Sequence, residues 1–373
     1  MYPFYFFRLS ATIKKSYTDS THNTTRDRYM LSLESSCPTR VDLAGGTLDI
    51  WPIHHLLPRK ATVNIAIEVP ATTFVQVSND SCFHINSKDQ NESITGKFDE
   101  LHKYDPLQLH RTIISNTWEK HLPALSVTTS AESPKGAGLG GSSALSISLT
   151  AALWTMKRYH EENFSFSEDE LCQFAKDAES SIIKIPTGCQ DYWAAIRGGV
   201  NIISYKHGKT KIRTLKTQMA EELEKNMLVC FSGQSRQSAI NNWEIYKEFF
   251  DRKKNVVEQF EQLGSLAESC ALAFEEQNLE KALNYCHKEW LVRSKLWPEI
   301  ETTKTKEIDK LARANGAIFT RVCGAGGGGA MLCLVPKEKK EKLANILKEK
   351  DIKIFEKGVA KSGLKVKEKN IFS

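Results

Sequence analysis

Residues 134–145 read PKGAGLGGSSAL, a glycine-dense turn between a β-like run (124–132, ALSVTTSAE) and a helical pattern (142–159). This unit constrains the fold more than any other. Glycines let the turn visit left-handed backbone, and its N–H groups can converge with the free N–H groups of the helix start on one point, with no side chain in the way. That arrangement cradles phosphate. GAGLGG also matches G-x-G-x-x-G, but a dinucleotide-binding unit needs a second parallel strand ending in an acid about 20 residues on. Here a second helix follows instead, opened by the S-x-x-E capping box of Ser167 and Glu170. No G-x-x-x-x-G-K-[ST] string occurs, and a ligand-free tight connection remains the plain alternative. A second run, CGAGGGGA (323–330), carries backbone entropy that an ordinary hairpin avoids, so something approaches the backbone closely there.

The surrounding text predicts an α+β chain. β-rich runs at 61–69, 72–78 and 124–132 alternate with helices. Leu145, Leu149, Leu153 and Met156 form one apolar stripe; Leu171, Phe174, Ala175, Ala178 and Ile182 form another. After a strand at 226–233 the chain is mainly helical from 241 to 314, then forms a β-hairpin around the second glycine run. The Lys and Glu-rich tail from Lys337 reads as a solvated helix face. We divide the chain into a loose extension (1–29), a first lobe (30–205) and a second lobe (206–373) packed directly on it. Met30 stands at the first boundary as an alternative start.

Composition removes several function classes. The 373 residues carry a net charge of +6, too weak to argue for nucleic acid but suited to a small anion. Nine scattered cysteines with no CxxC spacing argue against a disulfide framework or zinc site and for a reducing cytosol. No run approaches 18 apolar residues, and MYPFYFF lacks the flanks of a secretory signal, so neither membrane insertion nor export is expected. The histidines show no metal-ligand spacing, and G-x-S-x-G is absent.

Charged residues in three segments point to chemistry. Glu179 lies on the stripe of Leu171 and Ala175, so a buried carboxylate there needs a salt bridge or a cation such as Mg²⁺. Asp191 opens the segment DYWAAI as a helix cap or as a proton-transfer group, with Tyr192 and Trp193 as packing residues. Arg40, Asp42 and Asp49 surround a Gly45–Gly46 turn, either as an ion-paired turn or as a polyol-recognition site.

Read in order, PTRVDLAGGTLD (38–49), PKGAGLGGSSAL and VCGAGGGGA (322–330) resemble the three motifs of the GHMP kinases, the group of galactokinase, homoserine kinase and mevalonate kinase. The resemblance runs from about Cys37 to the C-terminus. It implies a two-lobed fold, ribosomal-S5-like then ferredoxin-like, with ATP and Mg²⁺ as cofactors. It further implies that Pro134, Gly136, Ala137, Gly138, Leu139, Gly140, Gly141, Ser142 and Ser143 bind the nucleotide phosphates, and that Ser143 and Glu179 hold Mg²⁺. Asp191 and Arg40 are then catalytic, and Thr47, Asp49, Gly324, Ala325 and Gly326 face the acceptor. GGTLD differs from galactokinase's G-E-H-T-D, which points away from galactose. RVDLAGGTLDIWP (40–52), FSGQSRQSA (231–239) and HKEWLVRSKLW (287–297) are most similar to heptose 7-phosphate kinases. That likeness implies a sugar or sugar-phosphate acceptor, a heptose 7-phosphate phosphorylated at its anomeric hydroxyl, with Arg236 and Arg293, aided by Lys295, binding the distal phosphate. The rival readings are a kinase with another acceptor, of mevalonate or other sugar type, and a kinase-like binding protein without catalysis.

Overall fold

The computed structural model describes residues 30–371 apart from 208, 216 and 235–237, so the extension before Met30 and Arg236 lie outside the described residues. In chain order the first lobe holds β1 (Met30–Ala44), α1 (Ile53–Leu56), β2 (Ala61–Val77), β3 (Phe83–Ser87), β4 (Glu92–Gly96), α2 (Gln108–Thr117), β5 (Leu125–Ala131), α3 (Gly141–His160), α4 (Glu168–Ile183), α5 (Gln190–Arg197), β6 (Val200–Lys206) and β7 (Lys209–Thr214). The second holds α6 (Thr217–Lys225), β8 (Met227–Phe231), α7 (Ser238–Phe250), α8 (Lys254–Glu275), α9 (Leu279–Arg293), α10 (Thr303–Ala314), β9 (Phe319–Val322), β10 (Ala330–Leu334), α11 (Lys337–Glu349) and β11 (Lys353–Phe355). The chain then returns as β12 (Lys365–Ile371).

The predicted α+β class is observed. One eight-stranded sheet runs β12-β1-β2-β5-β3-β4, with β6 and β7 branching from β2; a four-stranded antiparallel sheet runs β11-β8-β10-β9. The runs expected as two strands at 61–69 and 72–78 form one, β2, which continues through Pro70. Its first half is buried without interruption because it is covered on both faces; its second half alternates, as a half-solvated strand must. The boundary drawn at 205 is not where the sheets divide: β7 pairs β6, and β12 pairs β1, so both complete the first sheet. One apolar cluster joins Val41, Leu43, Val63 and Ile65 of the first sheet to Phe260, Leu263 and Met331 of the second lobe. The lobes therefore share a core.

α3 departs from its predicted single stripe. From Ser143 to Leu153 every residue is buried, because β1, β2, α2, α4 and α5 enclose the helix and its Ser and Ala positions admit close neighbours. α4 begins with the expected reciprocal capping box, Ser167 Oγ accepting from Glu170 N and Glu170 Oε2 from Ser167 N. Its next element is α5 and not a parallel strand, which removes the dinucleotide reading. Among the described residues no helix is long and apolar enough to cross a membrane.

Candidate active site

The phosphate-loop candidate is built from both lobes. Gly136, Gly138 and Gly140 take φ of 72°, 76° and 73°, alternating with Ala137 and Leu139, the backbone pattern of an anion-binding nest. The intervening carbonyls turn into the protein: Ala137 O accepts from Ala330 N (2.6 Å), Gly138 O from Arg40 Nη1 (2.6 Å) and Leu139 O from Arg40 N (2.9 Å). The second glycine run is the wall behind this loop. Gly329 has φ 86°, and a Cβ there would lie 2.5 Å from Ala137 O, so the close approach inferred from sequence is loop against loop.

At the start of α3 the two serines meet Glu179. Ser143 Oγ donates to Oε2 at 2.8 Å and Tyr192 Oη donates to the same oxygen at 2.6 Å, while Ser142 Oγ donates to Oε1. Burial pushes the Glu179 carboxyl above its ordinary range, with the three hydroxyls opposing. Its partners among the described residues are hydroxyls and not a cation, so the salt-bridge alternative for Glu179 does not hold. A carboxylate and a serine hydroxyl beside an anion nest fit Mg²⁺, which takes few protein oxygens and completes its shell with phosphate and water.

On the other side of the loop, Arg40 projects from β1. Its Nε and Nη2 donate to Asp191 Oδ1 and Oδ2 at 2.6 and 2.8 Å, a bidentate pair in which the Asp191 side chain keeps 22% exposure. Burial works against the guanidinium's charge, but Asp191 and Asp42 overcome it and raise its pKa. Asp191 lies in the first turn of α5 and makes no cap; the capping alternative is replaced by this ion pair. Asp49 lies close by: Oδ2 accepts from Gln190 N at 3.0 Å, and the carboxylate packs so tightly on Gly188 that a Cβ there would sit 1.9 Å from Oδ2. Burial pushes its pKa up to about 6.

Residues 108–199 match the GHMP kinases N terminal domain, and residues 260–353 match the GHMP kinases C terminal domain. The chain belongs to the GHMP kinases. A D-glycero-alpha-D-manno-heptose 7-phosphate kinase from Campylobacter jejuni is 25% identical over 357 residues, 90% of this chain and 99% of that protein. The crystal structure of Methanococcus jannaschii mevalonate kinase has a TM-score of 0.69 at 21% identity, covering 90% of this chain and 99% of that one. A D-glycero-D-manno-heptose 1-phosphate kinase from Bacteriodes thetaiotaomicron has a TM-score of 0.68 at 19% identity, covering 91% and 100%. These two structures share the GHMP kinase fold.

Other charged positions of this GHMP kinase are structural. Asp42, two residues from Arg40 and on the same face of β1, is fully buried; Oδ2 accepts from Arg321 Nη2 (2.7 Å) and Oδ1 from Gly324 N (2.7 Å). Burial alone would raise its pKa, but Arg321, Arg40 and Arg293 bring it down to about 2. The ion-paired reading of that turn therefore holds for Asp42, and the polyol reading does not. Arg321 also donates to Glu289 Oε2 (3.2 Å) and to Leu43 O, while Glu289 Oε1 accepts from Gly45 N at 2.9 Å. This buried triad ties the first motif to the third across the lobes.

Arg293 needs a correction as a distal-phosphate donor. It is buried, with Nη1 donating to Gly46 O (2.6 Å) and Thr47 Oγ1 (3.1 Å) and Nη2 to Gly324 O (3.0 Å). Three acceptors within the protein engage Nη1 and Nη2, while the buried Nε has no partner, so Arg293 braces the loops of Gly46 and Gly324 and holds Thr47, a β-branched residue at φ 73°. Ala325, the residue after Gly324, is buried. Gly326 follows, with its turn packed on Ile300. Lys295 is exposed on the turn after α9. Sequence reading missed Arg321, Glu289 and Tyr192, whose surroundings read as strand, helix and packing.

Asp49 yields a prediction on stability. An acid whose folded pKa lies near 6 against an ordinary 3.8 binds protons more readily folded than unfolded, so folding stability falls as pH rises from about 4 to 6. Asp49→Asn is therefore expected to be more stable than wild type by about 1–3 kcal/mol at pH 7 and equal to it near pH 4, in urea melts at the two pH values. Equal stability at pH 7 would mean that Asp49 is not strained by burial.

Proposed function

We propose that the protein is an ATP-dependent, Mg²⁺-requiring kinase of a sugar-phosphate hydroxyl, acting on a heptose 7-phosphate at its anomeric position. The observation that carries this reading is the convergence of two constellations on one glycine loop: the Ser142, Ser143 and Glu179 cluster at the start of α3, and the Arg40–Asp191 pair behind Gly138 and Gly140. In this reading the N–H groups of the loop and α3 start bind the ATP phosphates. Ser143 and Glu179 hold the cation, which neutralises charge on the β and γ phosphates. Asp191 orients the acceptor hydroxyl and receives its proton; Arg40 offsets charge developing in the in-line transfer. Asp49, Thr47 and the backbone of Gly324, Ala325 and Gly326 contact the sugar. Nine free thiols support a reducing compartment.

The heptose 7-phosphate rests on the 25% identical relative and on the motifs around Arg40 and Arg293. With Arg293 buried on Gly46 O, Gly324 O and Thr47 Oγ1, Arg236 is the remaining arginine we assign to the distal phosphate. One charge-assisted contact contributes about 1.5–3 kcal/mol, which is roughly 10- to 100-fold. The free heptose is expected to lose that factor in kcat/KM against the 7-phosphate on wild type, and Arg236→Ala is expected to abolish the preference. Equal kcat/KM for both sugars on wild type would remove the distal-phosphate assignment. Turnover of mevalonate or a simple hexose in preference to both would transfer the kinase reading to that acceptor.

A further inference from the structure

Three consecutive residues at the start of α5 each hold a different part of the site. Gln190 N–H donates to Asp49, Asp191 pairs with Arg40, and Tyr192 Oη donates to Glu179 Oε2 at 2.6 Å. We propose that Tyr192 is a positioning residue for the divalent cation, fixing Glu179 so that one carboxylate lone pair on Oε1 faces the phosphate loop. This rests on the reading of Ser143 and Glu179 as cation ligands.

An ionised carboxylate has about four acceptor positions. Ser142 occupies one on Oε1, and Ser143 and Tyr192 occupy two on Oε2, so a single position is left, on Oε1. The serine hydroxyls turn about one bond at the mouth of the loop, and Ser142 is exposed. Tyr192 is different. Its ring is 1% exposed and sits in the cluster of Leu145, Leu171, Ala175 and Ile196, so packing fixes the place of its hydroxyl. Were Glu179 to rotate away, that buried hydroxyl would lose its carboxylate acceptor and keep only the neutral Thr187 and Ser143 hydroxyls beside it, so the phenol resists the rotation. Because Asp191 immediately precedes Tyr192 and is clamped by Arg40, the cation ligand and the acceptor-side carboxylate are held in register through one turn of helix. Partners of this kind typically set metal affinity by 10- to 100-fold.

The test uses Mn²⁺ as the probe, titrated into the full-length protein with saturating ADP and followed by the EPR signal of free Mn²⁺. Tyr192→Phe removes only the hydroxyl and is expected to weaken Mn²⁺ binding 10- to 100-fold, with ADP affinity in the absence of metal unchanged. Replacing Tyr192 with p-aminophenylalanine, which restores an N–H donor at the same place, is expected to recover most of the loss. A purely structural role would instead lower the melting temperature and leave Mn²⁺ affinity alone, and that result overturns the proposal. If Tyr192→Phe does not fold, p-fluorophenylalanine at 192 serves as the variant without a donor, under the same two expectations. Glu179→Gln separates the levels: unchanged Mn²⁺ affinity in it removes Glu179 as a ligand and this proposal with it. Weakened binding in Glu179→Gln but not in either Tyr192 variant overturns the role of Tyr192 alone.

Discussion

Asp191→Asn is expected to lower kcat by about 10²-fold or more while nucleotide affinity stays within a few-fold of wild type. The substitution keeps the shape of the side chain and removes its charge and its capacity to take a proton. It also leaves the Arg40 guanidinium, which is 4% exposed, without the carboxylate that both Nε and Nη2 now address. The nucleotide should notice little, because the loop carbonyls of Gly138 and Leu139 remain anchored on Arg40 Nη1 and the Arg40 main chain. A coupled ADP-release assay gives kcat, and calorimetry with ADP gives affinity. A variant turning over at the wild-type rate would show that Asp191 neither orients nor deprotonates the acceptor.

Arg321→Met is expected to have the largest effect on the fold, a loss of about 3–5 kcal/mol in urea unfolding at pH 7, because it strands two fully buried carboxylates, Asp42 and Glu289. The loss reaches the site as well. Asp42 is the acceptor for Gly324 N, and Glu289 is the acceptor for Gly45 N, so the loops of Gly45 and Gly324 are left hanging on carboxylates that have lost the Arg321 guanidinium between them. The contribution of Asp42 has a definite pH signature: its folded pKa lies below the ordinary value, so its stabilisation is complete above about pH 4 and disappears as pH falls toward 2. A change below 1 kcal/mol in Arg321→Met would mean that the triad is dispensable.

How far the site could be read from the sequence depended on whether its signal was local. The glycine turn, the two serines after it and the capping box of α4 lie within a few residues of one another, and the structure forms the turn, the helix start and the cap as expected. Glu179 stood out because a carboxylate interrupted an apolar stripe. Tyr192 gave no such signal: its ring obeys the packing pattern, and only the position of α4 beside α5 shows where the hydroxyl goes. Arg293 and Arg321 were illegible for the opposite reason. A charge in a helix or strand reads as surface or ligand contact, whereas here each is buried by residues more than 200 positions away, Gly46 and Asp42. The return of β12 to β1 was illegible likewise, since it is a pairing between the two ends of the described chain.

The most direct test of the kinase reading is ³¹P NMR on the purified protein with ATP, Mg²⁺ and D-glycero-D-manno-heptose 7-phosphate. The account predicts loss of the ATP γ resonance, appearance of ADP and a new phosphomonoester resonance coupled to the anomeric proton, with the 7-phosphate signal retained. Release of the γ-phosphate solely as inorganic phosphate, or no consumption of ATP with this sugar while another acceptor is phosphorylated, would contradict it.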